Sequence, residues 1–405
     1  MTTTRQPYED REATHTAYAR HVNAGRVAMY QQLGLDIVMG AREGTSFCDA
    51  WDDRRFINCH GNGGVFNLGH RHPAVVEALR QALDELDIGN HHLVSGWRAK
   101  LAERLAASTG GLLPGVVFGV GGGEAVDLAI KVARAGTERQ NIVSACGGYH
   151  GHTGLAMATG DPQYRDPFGP NPPGFVQVPF NDLGALDRAV DDACAAVILE
   201  PVPATLGMPI PDPGYLEGVQ TLCRKRGAKL IIDEVQTGLG RTGAMWAFQH
   251  DRLEPDLMIT GKGLSGGLYP ITATLMTREL HAFFDTHPTI HISTFGGAEL
   301  GCPVALAVLD VVEGPGFLER VRELSVRFAE GVKDLPCTLR QRGLMMGLEF
   351  PEEGGGMAAA ASLFEVGVFT VWAGNDPRVV QFLPPLVLSD DEAEDLIIRV
   401  RTALG

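Results

Sequence analysis

The sequence lacks the features that mark membrane-spanning, nucleic-acid-binding and secreted proteins. No apolar run reaches the ~18 residues that a membrane helix needs, and residues 1–21 contain no apolar core of a signal peptide. Acidic side chains outnumber basic ones by 49 to 34, which gives a net charge of −15. Nucleic acids and anionic membranes both select a basic surface. We therefore expect a cytoplasmic protein that has neither a nucleic acid nor a membrane as its partner.

Paired cysteines and clusters of metal ligands are also missing from the sequence. The seven cysteines are scattered and never form a Cys-x-x-Cys pair, which favours reduced thiols over a disulfide or zinc framework. Three histidine pairs occur without a carboxylate or a third histidine at ligand spacing, namely His70/His72, His91/His92 and His150/His152. We expect no metal site.

The middle of the chain alternates short apolar runs with helical patterns, from about residue 115 to residue 275. Continuous apolar strands that alternate with helices indicate a mostly parallel sheet covered by helices, the α/β class. The predicted strands are Val116–Val120, Asn141–Ala145, Ala195–Leu199, Leu230–Ile232 and Leu257–Thr260. The predicted helices are one that begins at Pro73, then Glu124–Ala135 and Tyr215–Arg226.

The two ends of the chain have different patterns. The first twenty or so residues predict a polar arm, and Phe47–Ile57 predicts a strand-like hairpin. From about Pro315 the pattern predicts a smaller α+β domain, because helical periodicity and short strand-like runs are mixed. Its predicted elements are a helix Phe317–Lys333, strands Leu344–Phe350, Val368–Val371 and Val379–Leu383, and a helix Asp390–Leu404.

Glycines follow the first predicted strand of the middle region, and acids follow two others. Gly121, Gly122 and Gly123 precede a helix predicted to open at Glu124, which would leave backbone N–H groups free to hold a phosphate. Neither a Walker loop nor a complete dinucleotide fingerprint is present, since Glu124 stands in the place of the third glycine. A turn that needs small residues for packing explains these glycines equally well.

Lysine is scarce, and one lysine has an unusual place. The chain has six lysines, and Lys262 alone stands in a glycine-rich turn directly after a predicted buried strand. Asp233 and Glu200 follow two other predicted strands of the same sheet. A lysine beside acids and a phosphate cradle can form a Schiff base with a carbonyl cofactor.

These residues belong to dense motifs that extend over most of the chain. The motifs are Tyr149-His150-Gly151-His152-Thr153, Ile231–Gly238 with Gly240–Gly243, and Gly261–Pro270, within a match from Asn67–Pro73 to Phe382–Leu386. In them the sequence resembles the class III aminotransferases, which are pyridoxal 5'-phosphate (PLP) enzymes. The resemblance implies fold type I, with a large α/β domain and a smaller α+β domain. We expect residues 71–312 to form the large PLP-binding domain, 313–405 the small domain, and 1–70 a segment that packs with the small domain.

The resemblance implies a role for each residue of the motifs. Lys262 and Asp233 would be catalytic: Lys262 would bind PLP as a Schiff base and move a substrate proton, and Asp233 would keep the pyridine nitrogen protonated. Tyr149 would stack on the ring, and Gln236 would hydrogen-bond its phenolic oxygen. The full cofactor-binding set is Gly121, Gly122, Gly123, Tyr149, His150, Glu200, Asp233, Gln236, Lys262, Ser293 and Thr294. Ser293 and Thr294 would reach over from a partner subunit, which implies a homodimer with its active site at the interface.

The sequence departs from the family pattern where the family binds carboxylates. His152 stands where many members have an arginine. Gln381 replaces the arginine that clamps the α-carboxylate of glutamate, and Thr205 replaces the glutamate that holds this arginine when the second substrate binds. Losing both halves of this switch indicates a pocket rebuilt for another substrate. Alternatively, another basic residue binds the carboxylate, and the candidates are Arg98, His91, His92 and His152.

Three functions remain open from the sequence. The first is a PLP aminotransferase that acts through a substrate carbanion on an amine or an unusual amino acid, in specialised metabolism. The second is a non-transaminating PLP enzyme: a decarboxylase, a racemase, or a β- or γ-elimination or replacement enzyme that forms carbon–carbon bonds, for example on S-adenosylmethionine. The third is a hydrolase, because Gly263–Gly267 matches the G-x-S-x-G elbow. The residues that follow do not predict the helix that this elbow requires.

Overall fold

The computed structural model describes residues 6–52 and 54–405, which form three β-sheets and the helices around them. The strands are β1 (Met39–Glu43), β2 (Ser46–Asp49), β3 (Arg55–Asn58), β4 (Gly115–Gly119), β5 (Asn141–Ala145), β6 (Phe175–Val178), β7 (Cys194–Leu199), β8 (Lys229–Asp233), β9 (Leu257–Thr260), β10 (Thr272–Met276), β11 (Thr338–Arg342), β12 (Met345–Glu349), β13 (Val368–Phe369), β14 (Val371–Ala373) and β15 (Asp376–Phe382).

The longer helices alternate with these strands. They are α1 (Arg11–Tyr18), α2 (Ala24–Gln32), α3 (Pro73–Glu85), α4 (Gly96–Ser108), α5 (Gly122–Thr137), α6 (Leu183–Ala189), α7 (Tyr215–Arg226), α8 (Gly301–Val312), α9 (Phe317–Val332), α10 (Gly355–Glu365) and α11 (Asp390–Leu404). Short α-helical turns are Gly61–Gly64, Gly154–Ala158, Pro162–Arg165, Arg278–His281 and Phe283–Thr286. A π-helical turn is Ala19–Asn23, and 3-10 turns are Asp166–Phe168, Ala247–Gln249 and Lys262–Ser265.

The central sheet has seven strands in the order β4-β10-β9-β8-β7-β5-β6, and β10 is antiparallel to both of its neighbours. All six residues of β7 are buried, as expected for a strand covered by helices on both faces. The predicted α/β class is therefore confirmed, with a mostly parallel central sheet.

Two four-stranded sheets lie outside the central one, in the orders β1-β2-β3-β13 and β11-β12-β15-β14. In the first of them the C-terminal strand β13 runs parallel to β3 and pairs Val368 with Ile57. One strand from the C-terminal part of the chain thus belongs to the same sheet as the three N-terminal strands. The division into residues 1–70, 71–312 and 313–405 stays a prediction.

Several predicted elements differ from the structure. The arm predicted over the first twenty or so residues contains the helix α1, and α2 follows it; residues 1–5 of this prediction lie outside the described residues. Neither helix has a fully buried residue, and both are short, with eight and nine residues, so the sequence gives only a weak periodic pattern from which to predict them. The helix predicted from Glu124 begins at Gly122, where two glycines of low helix propensity hide its first turn. The run Val368–Val371 is two strands in two different sheets.

In the part of the chain that the structure describes, no single helix is long and apolar enough to cross a bilayer. The pair α8 and α9 meets the length and composition only when taken together, across a bend of 65°.

The buried side chain of Arg241 joins three distant segments around the central sheet. Its Nη1 donates to the carbonyl oxygens of Leu344 at 3.1 Å and Pro384 at 2.7 Å, and its Nη2 donates to Oδ1 of Asn67 at 2.7 Å. The residue is 1 % exposed, and burial lowers the pKa of Arg241 to about 9. The positive charge of Arg241 is therefore stabilised by the dipoles of three carbonyl groups. In return, each of these buried oxygens receives a hydrogen bond from the guanidinium.

Replacing Arg241 should destabilise the whole fold. We expect Arg241→Met to lower the free energy of unfolding by about 3 kcal/mol, because three hydrogen bonds to a charged group are lost and their acceptors stay buried. Urea unfolding of the cofactor-free protein at neutral pH measures this change. The control is Arg188→Met on α6, at an exposed position, where the change should stay within about 0.5 kcal/mol. Equal midpoints for the two variants would contradict the joining role of Arg241.

Candidate active site

A cavity of about 490 Å³ lies at the carboxyl ends of strands of the central sheet. Ligands in open α/β sheets bind at this edge, because the loops that follow the strands converge there. Most of the predicted cofactor residues line the cavity: Gly122, Gly123, Tyr149, His150, Glu200, Asp233, Gln236 and Lys262. Thr205, from the predicted substrate set, lines it too. The fold thus collects residues that are up to 140 positions apart in the chain.

Two nearly buried carboxylates hold the loops around this cavity. Oε1 of Glu200 accepts a hydrogen bond from the Tyr149 backbone N–H at 2.9 Å, and Oε2 accepts one from the Ala204 N–H at 3.3 Å. Oδ1 of Asp233 accepts from the Val235 N–H at 3.0 Å. The carboxylates therefore fix the backbone of the residues that surround the cavity, as well as supplying charge.

His150 forms a buried ion pair with Asp233, with 2.8 Å between Nδ1 and Oδ2. Burial opposes the charged imidazolium, but the hydrogen bond to Asp233 and the negative charges of Asp233 and Glu200 outweigh it and raise the pKa of His150. This contact orients the Asp233 carboxylate from behind, in the way that outer partners orient functional carboxylates.

Lys262 follows β9 and extends into the cavity from a 3-10 turn. Its backbone φ is +41°, a left-handed conformation that costs a non-glycine residue about 1 kcal/mol or more. Nζ donates to Oε1 of Gln236 at 2.5 Å. Burial lowers the pKa of Lys262, and the charges of Glu200 and Asp233 partly offset this effect. A buried amine with a lowered pKa is the form that attacks a carbonyl carbon.

A glycine-rich turn that the sequence analysis did not place lies directly opposite Lys262. An added Cβ on Gly63 would be 3.0 Å from Nζ of Lys262 and 3.2 Å from Oε1 of Gln236. The φ angles of Gly61, Asn62, Gly63 and Gly64 are all positive, between 52° and 95°. The spacing of these glycines in the sequence was a usable sign of a close backbone approach, but nothing local indicated what they approach.

The glycines after β4 begin helix α5, as the phosphate hypothesis requires. Gly121 is the N-cap of this helix, without a side-chain cap, so the first N–H groups of the helix lack the usual acceptor. Gly122 and Gly123 line the cavity, whereas Gly121 is not among its lining residues. The positive end of the α5 dipole faces the cavity at this point.

Other predicted residues lie outside the lining of the cavity. The guanidinium of Arg98 is bound by the carbonyl oxygens of Asn90, Leu93 and Gly297, so its hydrogen bonds hold a surface segment; the prediction that it binds substrate is not supported by this position. Gln381, on β15, donates to the Trp372 carbonyl oxygen at 3.4 Å.

The predicted histidines and the Ser293–Thr294 segment also lie away from the lining. His152 is exposed and packs between Tyr149 and Tyr164, with ring centroids 5.1 and 6.0 Å away. The rings of His91 and His92 contact each other at 4.0 Å between centroids. Ser293 and Thr294 lie on a surface loop of this subunit.

Sequence and structure comparisons identify the family. Residues 31–404 match the family of class-III aminotransferases. An uncharacterised aminotransferase from Archaeoglobus fulgidus is 50 % identical over 384 residues, 93 % of this chain and 90 % of the relative. The chain belongs to the class III aminotransferases. It is accordingly a PLP-dependent aminotransferase, as the motifs predicted.

Solved structures of aminotransferases superpose on more than nine-tenths of the chain. The ornithine aminotransferase from Toxoplasma gondii is 27 % identical with a TM-score of 0.90, and the match covers 98 % of this chain and 95 % of that one. A PLP-bound amine transaminase from an uncultivated Pseudomonas species is 26 % identical with a TM-score of 0.83, over 92 % and 95 % of the two chains.

The polar groups of the cavity fit PLP. The buried Nε2 of Gln236 has no hydrogen-bond partner, while Oε1 of the same amide is bonded to Lys262. This unpaired donor beside the lysine requires an acceptor, and the phenolic oxygen of PLP is one. The open N-terminus of α5 suits the phosphate, and the carboxylate of Asp233 suits the protonated pyridine nitrogen.

The charge of Glu200 should control the reactivity of Lys262. We expect Glu200→Gln to lower the pKa of Lys262 further, because this substitution removes a negative charge that raises it. Competitive acylation of the cofactor-free protein between pH 6 and pH 11, followed by mass spectrometry of the peptide with Lys262, gives this pKa. The midpoint should move to lower pH in the variant.

The matched control for that experiment is Glu330→Gln, at an exposed position of α9. The labelling profile of Lys262 should be the same in this variant as in the parent protein. A profile in Glu200→Gln that is unchanged, or moved to higher pH, would contradict the electrostatic coupling.

Proposed function

We propose that this aminotransferase takes its amino group from an amine, or from an unusual amino acid, whose carboxylate is not clamped by an arginine. The observation that carries the proposal is the composition of the cavity wall. Among the described residues that line the cavity there is no arginine, and Lys262 is the one lysine. The two positions at which the family pattern has an arginine and its glutamate are the neutral Gln381 and Thr205.

In this proposal Lys262 carries the cofactor and the proton. Its Nζ would hold PLP through the carbonyl carbon of the cofactor, with loss of water, and the lowered pKa of Lys262 favours the neutral amine that this bond requires. With a substrate amine in its place on the cofactor, the released Nζ would be the base that takes a proton from the substrate carbon and later returns it. The left-handed backbone of Lys262 and the bond to Gln236 keep the amine on one side of the cavity.

Asp233 and Tyr149 orient the cofactor ring. Bound PLP supplies an electron sink that stabilises a substrate carbanion, and this sink requires a proton on the pyridine nitrogen. The Asp233 carboxylate, held by His150, keeps that proton in place. Tyr149 lines the cavity with its backbone held by Glu200, so its ring is available to stack on the cofactor. Gln236 supplies the donor for the phenolic oxygen.

Substitution of Lys262 tests the covalent role. With PLP added, the parent protein treated with borohydride should carry a reduced cofactor adduct on the peptide that contains Lys262, and Lys262→Ala should carry none. Lys333→Ala, at an exposed position, is the control and should be labelled like the parent protein. Labelling of another lysine in the parent protein would contradict the assignment.

The nature of the donor tests the substrate proposal. We expect mono- and diamines to convert the bound cofactor to its amine form at least about tenfold faster than glutamate, ornithine or alanine, because a missing arginine–carboxylate contact is worth about 1.5–3 kcal/mol. The pyridoxamine phosphate released after denaturation measures the conversion. Faster conversion by glutamate would contradict the proposal.

The non-transaminating alternative has a different outcome in the same assay. A decarboxylase, a racemase, or an elimination or replacement enzyme would consume its substrate while the cofactor stays in its aldehyde form. S-adenosylmethionine belongs among the tested substrates for this reason. Consumption of a substrate without pyridoxamine phosphate would favour this alternative.

We propose that the active protein is a homodimer. Val94 is fully exposed, and Leu93, Ile290, Ile292 and Phe295 are each more than half exposed. Hydrogen bonds from Arg98 to Gly297 and from Glu299 to Ile88 hold these two segments side by side. Apolar side chains grouped in this way mark an interaction surface, and a second copy is the partner that the family supplies. The same surface loop carries Ser293 and Thr294, which would complete the phosphate site of the partner subunit.

Charge on this surface should dissociate the dimer. We expect Phe295→Glu to shift the protein from dimer to monomer in light scattering coupled to size exclusion, because two carboxylates would be buried without partners. The affinity for PLP should fall with it if Ser293 and Thr294 act across the interface. Ile398→Glu is the control, at a side chain of α11 that is 55 % exposed, and should stay dimeric. A monomeric parent protein would contradict the proposal.

The cytoplasmic location of the protein stays a prediction.

A further inference from the structure

Asn375 connects the C-terminal sheet to two loops of the active site. It lies in the turn between β14 and β15, and its Nδ2 donates to the carbonyl oxygen of Gly147 at 2.9 Å. Its Oδ1 accepts hydrogen bonds from Nε2 of Gln163 and from the hydroxyl of Tyr164, both at 3.0 Å. Its backbone N–H donates to the carbonyl oxygen of Thr205 at 2.8 Å.

The carbonyl oxygen of Gly147 is the centre of this network. It accepts one hydrogen bond from Asn375 and a second from Oγ1 of Thr205 at 2.8 Å. Because a carbonyl oxygen can only accept, it is the NH₂ group of the Asn375 amide that faces it, which settles the orientation of the amide. Two donors use both lone pairs of this oxygen, so the three residues form a closed unit.

Both loops that Asn375 joins form walls of the PLP cavity. Gly147 stands two positions before Tyr149, and Tyr149 and Thr205 line the cavity. An added Cβ on Gly147 would lie 2.5 Å from the side chain of Leu206, so the two loops are packed closely and Gly147 has no side chain with which to hold itself. Hydrogen bonds to its backbone are therefore the means by which this loop is kept in place.

We propose that Asn375 is a positioning residue that sets the spacing between the Tyr149 loop and the Thr205 loop, and thereby the position of the Tyr149 ring on PLP. The C-terminal sheet thus acts on cofactor binding through one amide. This inference rests on the role assigned to Tyr149 above, and it is independent of which amine is the substrate.

Hydrogen exchange of the cofactor-free protein tests the inference without any reaction. In Asn375→Ala we expect the amides of Gly147 and Tyr149, which are bonded to Asp161 and Glu200, to exchange about tenfold faster, since one net hydrogen bond to the loop is worth about tenfold in an equilibrium. The dissociation constant of PLP should rise by a similar factor. Gln163→Ala is the matched control: it removes a partner of the same amide and leaves the bond to Gly147.

Asn375→Asp identifies the hydrogen bond that is responsible. The carboxylate keeps the acceptors for Gln163 and Tyr164 but cannot donate to Gly147, so this variant should resemble Asn375→Ala in exchange and in PLP affinity. It also serves if Asn375→Ala folds poorly. Exchange and PLP affinity within twofold of the parent protein in Asn375→Asp would overturn the proposal, as would equal effects in Gln163→Ala.

The donor assay and the PLP affinity of the Asn375 variants together separate this inference from the substrate proposal. If amines fail as donors while the Asn375 variants lose PLP affinity as described, the substrate proposal fails and the positioning role stands. If amines react as proposed and the Asn375 variants bind PLP like the parent protein, the positioning role alone is wrong.

Discussion

The parallel register of three central strands is the constraint on which the active site depends. β7 pairs Leu199 with Ile232 of β8, and β8 pairs Asp233 with Ile259 of β9. The residues that follow each strand consequently leave the sheet at one edge, where Glu200, Asp233 and Lys262 meet. A slip of one residue would turn every side chain of a strand to the other face. A slip of β7 by one residue would also move Glu200, which directly follows this buried strand, so the register of the apolar strands determines where the charged groups lie.

The charged groups in the cavity depend on one another. Burial raises the pKa of Glu200, as does the charge of Asp233, while the charge of His150 opposes them. Burial lowers the pKa of Lys262, and the same two carboxylates oppose that change. Each group is thus tolerable in the interior because the others are present, as expected for a set of buried charges that titrate together. Among the described residues no side chain caps the N-terminus of α5, so the dipole of this helix adds a site for negative charge.

Local patterns explain what could be predicted from the sequence. Strand ends followed by Glu200, Asp233 and a rare lysine were visible because β-strands of a covered sheet are continuous apolar runs. The left-handed turn opposite Lys262 and the contact of Asn375 with Gly147 were not, since both join segments that are distant in the chain and have no periodic pattern. The helices α1 and α2 were not predicted either, because neither buries a residue completely and helices of little more than two turns give a weak periodic pattern. A local sequence pattern does not show which distant segment of the chain a residue will contact in the fold.

The replaced carboxylate switch has a consistent physical explanation in the contacts of Thr205 and Gln381. The hydroxyl of Thr205 is bonded to Gly147, and the amide of Gln381 is bonded to Trp372, so both neutral side chains are satisfied by backbone carbonyls. An arginine at position 381 without a glutamate at position 205 would leave a positive charge without its partner. The neutral pair Gln381 and Thr205 avoids this cost. Thr205 is held twice: its hydroxyl donates to the Gly147 carbonyl oxygen, and its backbone carbonyl oxygen accepts from the Asn375 N–H. Thr205 therefore gives the lining of the cavity a neutral side chain, whereas Gln381 lies outside this lining, and under the proposed function a neutral wall suits an amine better than a second carboxylate.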